Sequence, residues 1–296
     1  MGLKLSRHIR KIRNIFLAKV KKNSFLTYKI LILISSVIKF VYKKNKKISH
    51  KIFSNNLNQI NEFEFKRTSQ NNEDGIIQHV AQKLEIKRFN FVEIGFDFFE
   101  NNSLNLLRQT NKGLFIDGSN EKVFLLKNII KLLYPFKNIE VLNKLINKDN
   151  INNVIGNFFL KEDEIDFLSI DVDGIDYYIF ENLMIRPKII CIEYNFWFGK
   201  DIKCSVPYNK NFFWEKGSVY SGTSLNALNS LANQKDYFLI ALESNCVNAF
   251  FIRGDLKDNF KILDPQQDFK VPIKYSAQEI KSANKVLLDK KLTIFK

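Results

Sequence analysis

Phe89-Asn-Phe-Val-Glu-Ile-Gly95 is the stretch that decides the fold. It is a short apolar run that stops at a glycine, as a strand buried on both faces does before a turn. Gly113-Leu-Phe-Ile-Asp117 repeats the pattern and ends in an acid about 20 residues further on, the spacing of a nucleotide-binding βαβ unit. Asn138-Ile-Glu-Val-Leu142, Ile165-Asp-Phe-Leu-Ser-Ile-Asp171 and Pro187-Lys-Ile-Ile-Cys-Ile-Glu193 read as three more strands. Helical periodicity falls between the strands at 120–134, 150–159 and 175–183. It also precedes the first strand, at Ile76, Ile77, Val80, Ala81 and Leu84, where Glu73 and Asp74 suit the start of a helix. After Glu193 the rhythm changes. Residues 223–234 read as a helix, then 237–243 and 248–253 as a hairpin around a short Ser-Asn-Cys-Val connection. The expectation is an α/β domain: a Rossmann-like, mostly parallel sheet with helices on both faces, closed by an antiparallel terminal hairpin.

Charge separates the N-terminus from this domain. Residues 1–61 carry 15 Lys and Arg, and the first acid is Glu62. The chain has 46 basic and 31 acidic residues, so everything after the arm is neutral and the formal +15 sits in the first fifth. Leu5, Ile9, Ile12, Phe16 and Val20 recur at helical spacing, with Arg7, Arg10, Lys11, Lys21 and Lys22 mostly on the other side. An apolar stretch, 25–42, follows, broken by Lys29 and Lys39, and then Lys43, Lys44, Lys46, Lys47 and Lys51. Its charge-free core, 30–38, is shorter than the roughly 20 residues that span a bilayer. We expect residues 1–53 to be a helical arm lying on an anionic membrane surface. A nucleic-acid partner is not expected, because the arm is as apolar as it is basic. Residues 54–64 read as a linker, 65–255 as the α/β domain and 256–296 as a C-terminal extension without assigned chemistry. Cys191, Cys204 and Cys246 form no Cys-x-x-Cys pair and no disulfide framework, which points to a reducing, cytoplasmic setting, and the arm would place the chain peripherally on the inner face of the membrane. His8, His50 and His79 are scattered, so no zinc site is expected.

Ligands of open α/β sheets bind at the carboxyl ends of the strands. Four strands end there in Glu93 and Gly95, Asp117, Asp171 with Asp173, and Glu193 with Asn195. Any one acid could cap the next helix; four at one edge point to a site. Asp117 stands where the fold places the acid that accepts hydrogen bonds from ribose hydroxyls. A dinucleotide needs a Gly-x-Gly-x-x-Gly turn for its pyrophosphate, whereas this turn reads Gly95-Phe-Asp-Phe-Phe-Glu. A single glycine gives a pyrophosphate no cradle, and the two carboxylates repel it but suit a sulfonium with its ammonium, so the residues favour S-adenosylmethionine over a nicotinamide dinucleotide.

An ordered set of motifs carries a family resemblance. Glu-Asp-Gly at 73–75, Phe91-Val-Glu-Ile-Gly95, Ile116-Asp-Gly-Ser119, Ile165-Asp-Phe-Leu-Ser-Ile-Asp-Val-Asp-Gly174 and Ile192-Glu-Tyr-Asn195 together resemble the FkbM-type methyltransferases and a related bacterial branch. Tyr220-Ser-Gly-Thr-Ser-Leu225 and Asn248-Ala-Phe-Phe-Ile-Arg253 are similar to that branch too, so the resemblance covers about residues 65–255. It implies a seven-stranded Rossmann-like fold, S-adenosylmethionine, and O-methylation of a hydroxyl, often on a sugar or natural product. The resemblance departs at Phe96, Phe98 and Phe99, where small residues are usual. On this basis Glu93 and Gly95 are expected at the methionine end of the cofactor, Asp117 on the ribose, Gly118 and Ser119 beside the adenosine, and Asp171 and Asp173 by the transferred methyl. Asp171 or Glu193 is the expected base. An alternative has Asp171, Glu193 and Asn195 hold Mg²⁺, which would acidify the acceptor hydroxyl; the expectation without metal is preferred. Phe196, Trp197, Phe212, Phe213 and Trp214 are candidates for an acceptor wall or for ordinary packing.

Two other functions fit parts of the pattern. Asp171-Val-Asp173 resembles the Asp-x-Asp of metal-dependent glycosyltransferases, a short motif that leaves Glu93 and Asp117 without a shared purpose. A non-catalytic, membrane-tethered Rossmann-like scaffold is the third reading, supported by the Phe-rich loop.

Overall fold

A computed structural model describes residues 59–97, 100–160, 164–215, 217–272 and 275–295. The expected arm, 1–53, lies outside the described residues, as do Phe98 and Phe99. In chain order the described elements are α1 (Glu73–Lys83), β1 (Phe89–Ile94), β2 (Thr110–Asp117), α2 (Asn120–Leu133), β3 (Asn138–Asn143), α3 (Ile151–Gly156), β4 (Phe167–Ile170), α4 (Asp176–Asn182), β5 (Ile189–Glu193), β6 (Cys204–Ser205), α5 (Leu225–Gln234), β7 (Tyr237–Leu242), β8 (Asn248–Arg253), α6 (Pro265–Asp268), α7 (Ala277–Leu288) and β9 (Thr293–Ile294).

Seven strands form one sheet in the order β3-β2-β1-β4-β5-β8-β7, with β1 to β5 parallel and β8 antiparallel to both its neighbours. Order reverses between β1 and β4, the crevice where open α/β sheets take ligands. Helices cover both faces, because the strands are apolar on both. Ile151 and Ile155 of α3, Ile179 and Phe180 of α4, and Leu228 and Ala232 of α5 pack on one face against Val92, Leu114, Leu168 and Ile190. Ile76 and Val80 of α1 and Leu126 and Ile129 of α2 pack on the other, against Phe91, Phe115, Phe167 and Ile189. This is the expected Rossmann-like architecture. The hairpin is present, with β8, its second strand, threaded between β5 and β7.

Three segments carry structure that the sequence pattern did not specify. Gln59–Phe63 is a 3₁₀ turn, and Ile60, Asn61 and Glu64 are buried, so packed structure begins inside the segment read as linker. Asp74 does not cap its own helix. Its carboxylate accepts from the backbone N–H groups of Arg67, Thr68 and Ser69 and pins the preceding loop. The C-terminal segment folds back onto the domain. Its α7 opens with a capping box between Ser276 and Glu279. β9 pairs with β6, and Asn284 donates to the carbonyls of Trp197 and Phe198 at 3.1 and 3.0 Å. No helix among the described residues is long and apolar enough to cross a membrane.

Candidate active site

Parallel strands held in register end together, and this brings the strand-end polar residues to one edge. Ile94 pairs with both Ile116 and Ile170. Just beyond, the Gly95 N–H donates to Ile116 at 2.8 Å and the Asp171 N–H to Ile94 at 2.9 Å. A cavity of about 760 Å³ opens there. Gly95, Asp117, Gly118, Ser119, Asp171, Asp173 and Glu193 all line it. Glu93 does not.

Asp117 closes the β2 end of the cavity. One carboxylate oxygen accepts from the Ser119 N–H at 2.6 Å, and the other from the Phe96 N–H at 3.1 Å, with Lys122 Nζ at 3.5 Å. A carboxylate offers about four acceptor sites, so capacity remains for hydroxyl donors in the cavity. Ser119 caps α2 by accepting from the Lys122 N–H. Gly95 has φ +73°, and the turn carries no further glycine that would let backbone approach a pyrophosphate. Asp97 and Glu100 add carboxylates to the wall instead. Phe96, one of the bulky replacements, turns into the core, edge-on to Phe115 with ring centroids 5.7 Å apart.

Asp171, Asp173 and Glu193 offer carboxylate oxygens within 4.8 Å of one another. Asp171 and Glu193 are half-buried, and Asp173 is exposed. Burial, and then the repulsion among the neighbouring carboxylates, pushes both far above the usual carboxylate range, and a hydrogen bond joins them. The pair therefore holds a proton that isolated carboxylates would have lost. Asp173 sits at φ +59° in the left-handed region and is raised by burial, with Lys122 opposing. Asp176, a residue the sequence pattern did not single out, builds this loop. Its carboxylate accepts from the N–H groups of Val172 and Gly174 at 2.8 and 2.9 Å, and burial lifts it to about 6. A Cβ at Gly174 would lie 2.2 Å from the Phe212 ring, so a larger residue there must displace that ring.

Asn195 lines the cavity with its amide already engaged. Its amide donates to the carbonyls of Val219 and Ser221, both at 2.8 Å, and its oxygen accepts from the Trp197 N–H at 2.9 Å. Among the described residues the trio that could hold a divalent cation is Asp171, Asp173 and Glu193. The far side of the cavity is aromatic: Phe196, Trp197, Phe212, Phe213 and Trp214 all line it. Tyr275 of the C-terminal segment packs behind Trp197 with centroids 4.6 Å apart, so residues beyond 255 buttress this wall. Sequence reasoning also missed Tyr194, Cys246 and Val247, which line the cavity from β5 and the β7–β8 turn.

Glu93 serves the scaffold. It accepts from the Asn102 N–H at 2.9 Å and from the Ser103 hydroxyl, tying down the loop above the sheet, and burial raises it to about 7. Glu243, buried in the β7–β8 turn, accepts from the N–H groups of Asn245 and Val247, and burial, with Glu73 nearby, raises it to about 8. Carboxyls raised in the folded state bind protons that the unfolded chain releases. Their stabilisation is complete below about pH 4.5 and is lost as pH rises through 7 to 8. The melting temperature is therefore expected to fall by several degrees between pH 6 and pH 8.5, and Glu93→Gln should flatten part of that slope. A melting temperature that rises over this interval would contradict the assignment.

No family model matches the sequence, and no curated protein matches it. Among solved structures the fold is similar to a magnesium protoporphyrin IX methyltransferase from Synechocystis with bound S-adenosylmethionine (8% identity, 61% of this chain, 77% of that one, TM-score 0.40). It is also similar to S-adenosylmethionine-dependent methyltransferases from Clostridium acetobutylicum (11% identity, 62% and 90%, TM-score 0.40) and Aquifex aeolicus (14% identity, 60% and 88%, TM-score 0.36). At such identities and scores these likenesses carry no chemistry across to this chain. Its own strand order and helix placement make it a Rossmann-like α/β domain whose carboxyl edge holds an acid-lined cavity.

Proposed function

We propose that the chain is an S-adenosylmethionine-dependent methyltransferase that methylates a hydroxyl of a sugar, glycan or related acceptor, held at an anionic membrane surface by residues 1–53. One observation carries the cofactor: Asp117, fixed by two backbone N–H groups with acceptor capacity left over, faces a cavity lined by further carboxylates and lacking a pyrophosphate cradle. That environment accepts ribose hydroxyls at one end and cationic sulfonium and ammonium groups at the other. The motifs that resemble the FkbM-type family support the same reading and the hydroxyl acceptor.

The cofactor would supply a methyl group on a sulfonium. Asp117, Gly118 and Ser119 bind its adenosine, and Gly95 lets the chain turn beneath its methionine part. The aromatic wall orients the acceptor so that its hydroxyl lies in line with the methyl, the main source of rate in such a displacement. The Asp171–Glu193 pair would take the proton that the acceptor hydroxyl gives up on accepting the methyl group, the sulfonium leaving as a neutral thioether. Mg²⁺ on Asp171, Asp173 and Glu193 would instead act by acidifying the hydroxyl.

Calorimetric titration of the full chain with S-adenosylmethionine tests this. Binding in the micromolar range is expected, weakened about 10- to 100-fold by Asp117→Ala, as suits the loss of a charge-assisted hydrogen bond. A folded chain that takes up no cofactor overturns the proposal. The carboxylate trio also favours a second reading, a glycosyltransferase holding Mn²⁺ and a nucleotide sugar. Titration with a nucleotide sugar and Mn²⁺ separates the two.

A further inference from the structure

Two large apolar side chains stand out of the rim of the cavity. Phe213 is 89% exposed and Leu145 73% exposed, and both line the opening. They belong to different loops that join into one rim. Tyr208 donates to Asp149 at 3.4 Å, and Lys148 Nζ lies 4.4 Å from the centre of the Tyr208 ring. Phe212 is seated against Gly174, so its neighbour Phe213 projects from an anchored loop rather than a loose one. Lys144 and Lys210 line the cavity with the two apolar residues, and Lys148 lies over the Tyr208 ring of the same loops. Asp149 and Glu215 are the described acids of these two loops against three lysines, so the loops carry a small positive excess, while Asp97, Glu100 and Asp173 also line the cavity. Apolar tips ringed by lysine, with aromatic residues behind, are what a protein presents to the boundary between lipid headgroups and acyl chains.

The tether of the arm lies on the same side. Asn61 donates to the Leu242 carbonyl at 2.8 Å, and the Ser244 N–H donates to Glu64 at 3.0 Å. Residues 59–64 are thus fastened to the β7–β8 turn, and Cys246 and Val247 of that turn line the cavity. The 15 basic residues of 1–61 are consequently attached at the edge of the sheet on which the cavity opens.

We propose that the mouth of the cavity docks on an anionic lipid bilayer, with Phe213 and Leu145 entering the headgroup boundary and Lys144, Lys148 and Lys210 meeting lipid phosphates. The acceptor then reaches the cavity from the membrane side, as a hydroxyl on a lipid or on a lipid-anchored head. The docking rests on the membrane part of the proposed function and is independent of whether S-adenosylmethionine binds.

The chain's own fluorescence reads this surface. It has two tryptophans, Trp197 and Trp214, and both line the cavity. In full-length Trp197→Phe only Trp214, next to Phe213, remains to report. Vesicles of brominated phosphatidylcholine with phosphatidylglycerol should co-sediment the protein and quench Trp214 emission about twofold or more. In the same background Phe213→Ser with Leu145→Ser should still sediment through the arm, yet lose the quenching. Full-length Trp214→Phe, kept as the converse variant, should show much weaker quenching. Sedimentation with unquenched Trp214 overturns the proposal, as does absence of sedimentation or equal quenching by vesicles without anionic lipid. Self-association that shifts Trp214 emission without vesicles and is abolished by Phe213→Ser also overturns it, by making the mouth an interface between copies of this chain. Cofactor titration by calorimetry is unaffected by any of these outcomes, so failure of docking and failure of the methyltransferase reading are told apart.

Discussion

Replacing Glu193 with glutamine is expected to lower kcat for methyl transfer by about 10²- to 10⁴-fold, the usual worth of a positioned base, while leaving cofactor affinity nearly unchanged. Glu193 closes β5 and hydrogen-bonds Asp171, which is fixed in turn by its N–H bond to Ile94. Burial and neighbouring negative charge make it unfavourable for both acids to ionise, so one proton is shared. The ionised member, raised above an ordinary carboxylate, is a stronger base toward an acceptor hydroxyl. Glutamine keeps the size and can still bond Asp171, but it takes no proton. Asp171→Asn should cost a comparable factor. The double variant should lose much less than the product of the two, because the residues act as one unit. Single-turnover rates with S-adenosylmethionine and acceptor measure this. A loss under threefold for both single variants would remove the pair from proton transfer. If instead Mg²⁺ holds the acceptor, chelation should abolish turnover of the wild type while leaving cofactor affinity intact.

The parts of the site that were legible in the sequence are those set by the backbone alone. Phe167–Ile170 is buried along its whole length, so β4 reads as an unbroken apolar run. Once five such strands are taken as parallel, Gly95, Asp117, Asp171 and Glu193 must meet at one edge, and they do. What a side chain does at that edge depends on residues far away in the chain. Glu93 sits two residues before Gly95 and has the chemistry of a ligand-binding acid, yet the Asn102 N–H and the Ser103 hydroxyl occupy its oxygens. Asn195 is captured by carbonyls at 219 and 221, whose approach no local pattern encodes. The hairpin's existence was readable from its connection, but either strand could have paired with β5. β6 and β9 are two residues each, too short to show a period. The docking of α7 onto the carbonyls of Trp197 and Phe198 has no local signal either. Asp176 left a faint signal, an acid just after Asp173-Gly174 at a helix start, which capping alone would have explained.

Gly95→Ala is the substitution expected to damage the protein most. Gly95 has φ +73°, and an added Cβ would lie 1.7 Å from the carbonyl oxygen of Asp171 and 2.7 Å from its carbon. Both contacts are to backbone, so no side chain can swing aside. The left-handed conformation costs alanine about 1–2 kcal/mol, and overpacking against rigid structure typically adds about 1–3 kcal/mol. Together these predict a loss on the order of 3 kcal/mol, which for a domain of this size lowers the melting temperature by roughly 6–12 °C. Relief has to come from moving either the end of β1 or the end of β4. The first displaces the Phe96 N–H from Asp117; the second displaces Asp171 from Glu193. Either movement separates Asp117 from the Asp171–Glu193 pair, so under the proposed function cofactor binding should be lost even in protein that remains folded. Gly156→Ala is the matched control. Gly156 ends α3, nothing lies within 4 Å of its added Cβ, and alanine there should leave melting and binding unchanged or raise stability slightly. Wild-type melting and cofactor affinity in Gly95→Ala would mean that β1 and β4 do not approach as closely as this site requires.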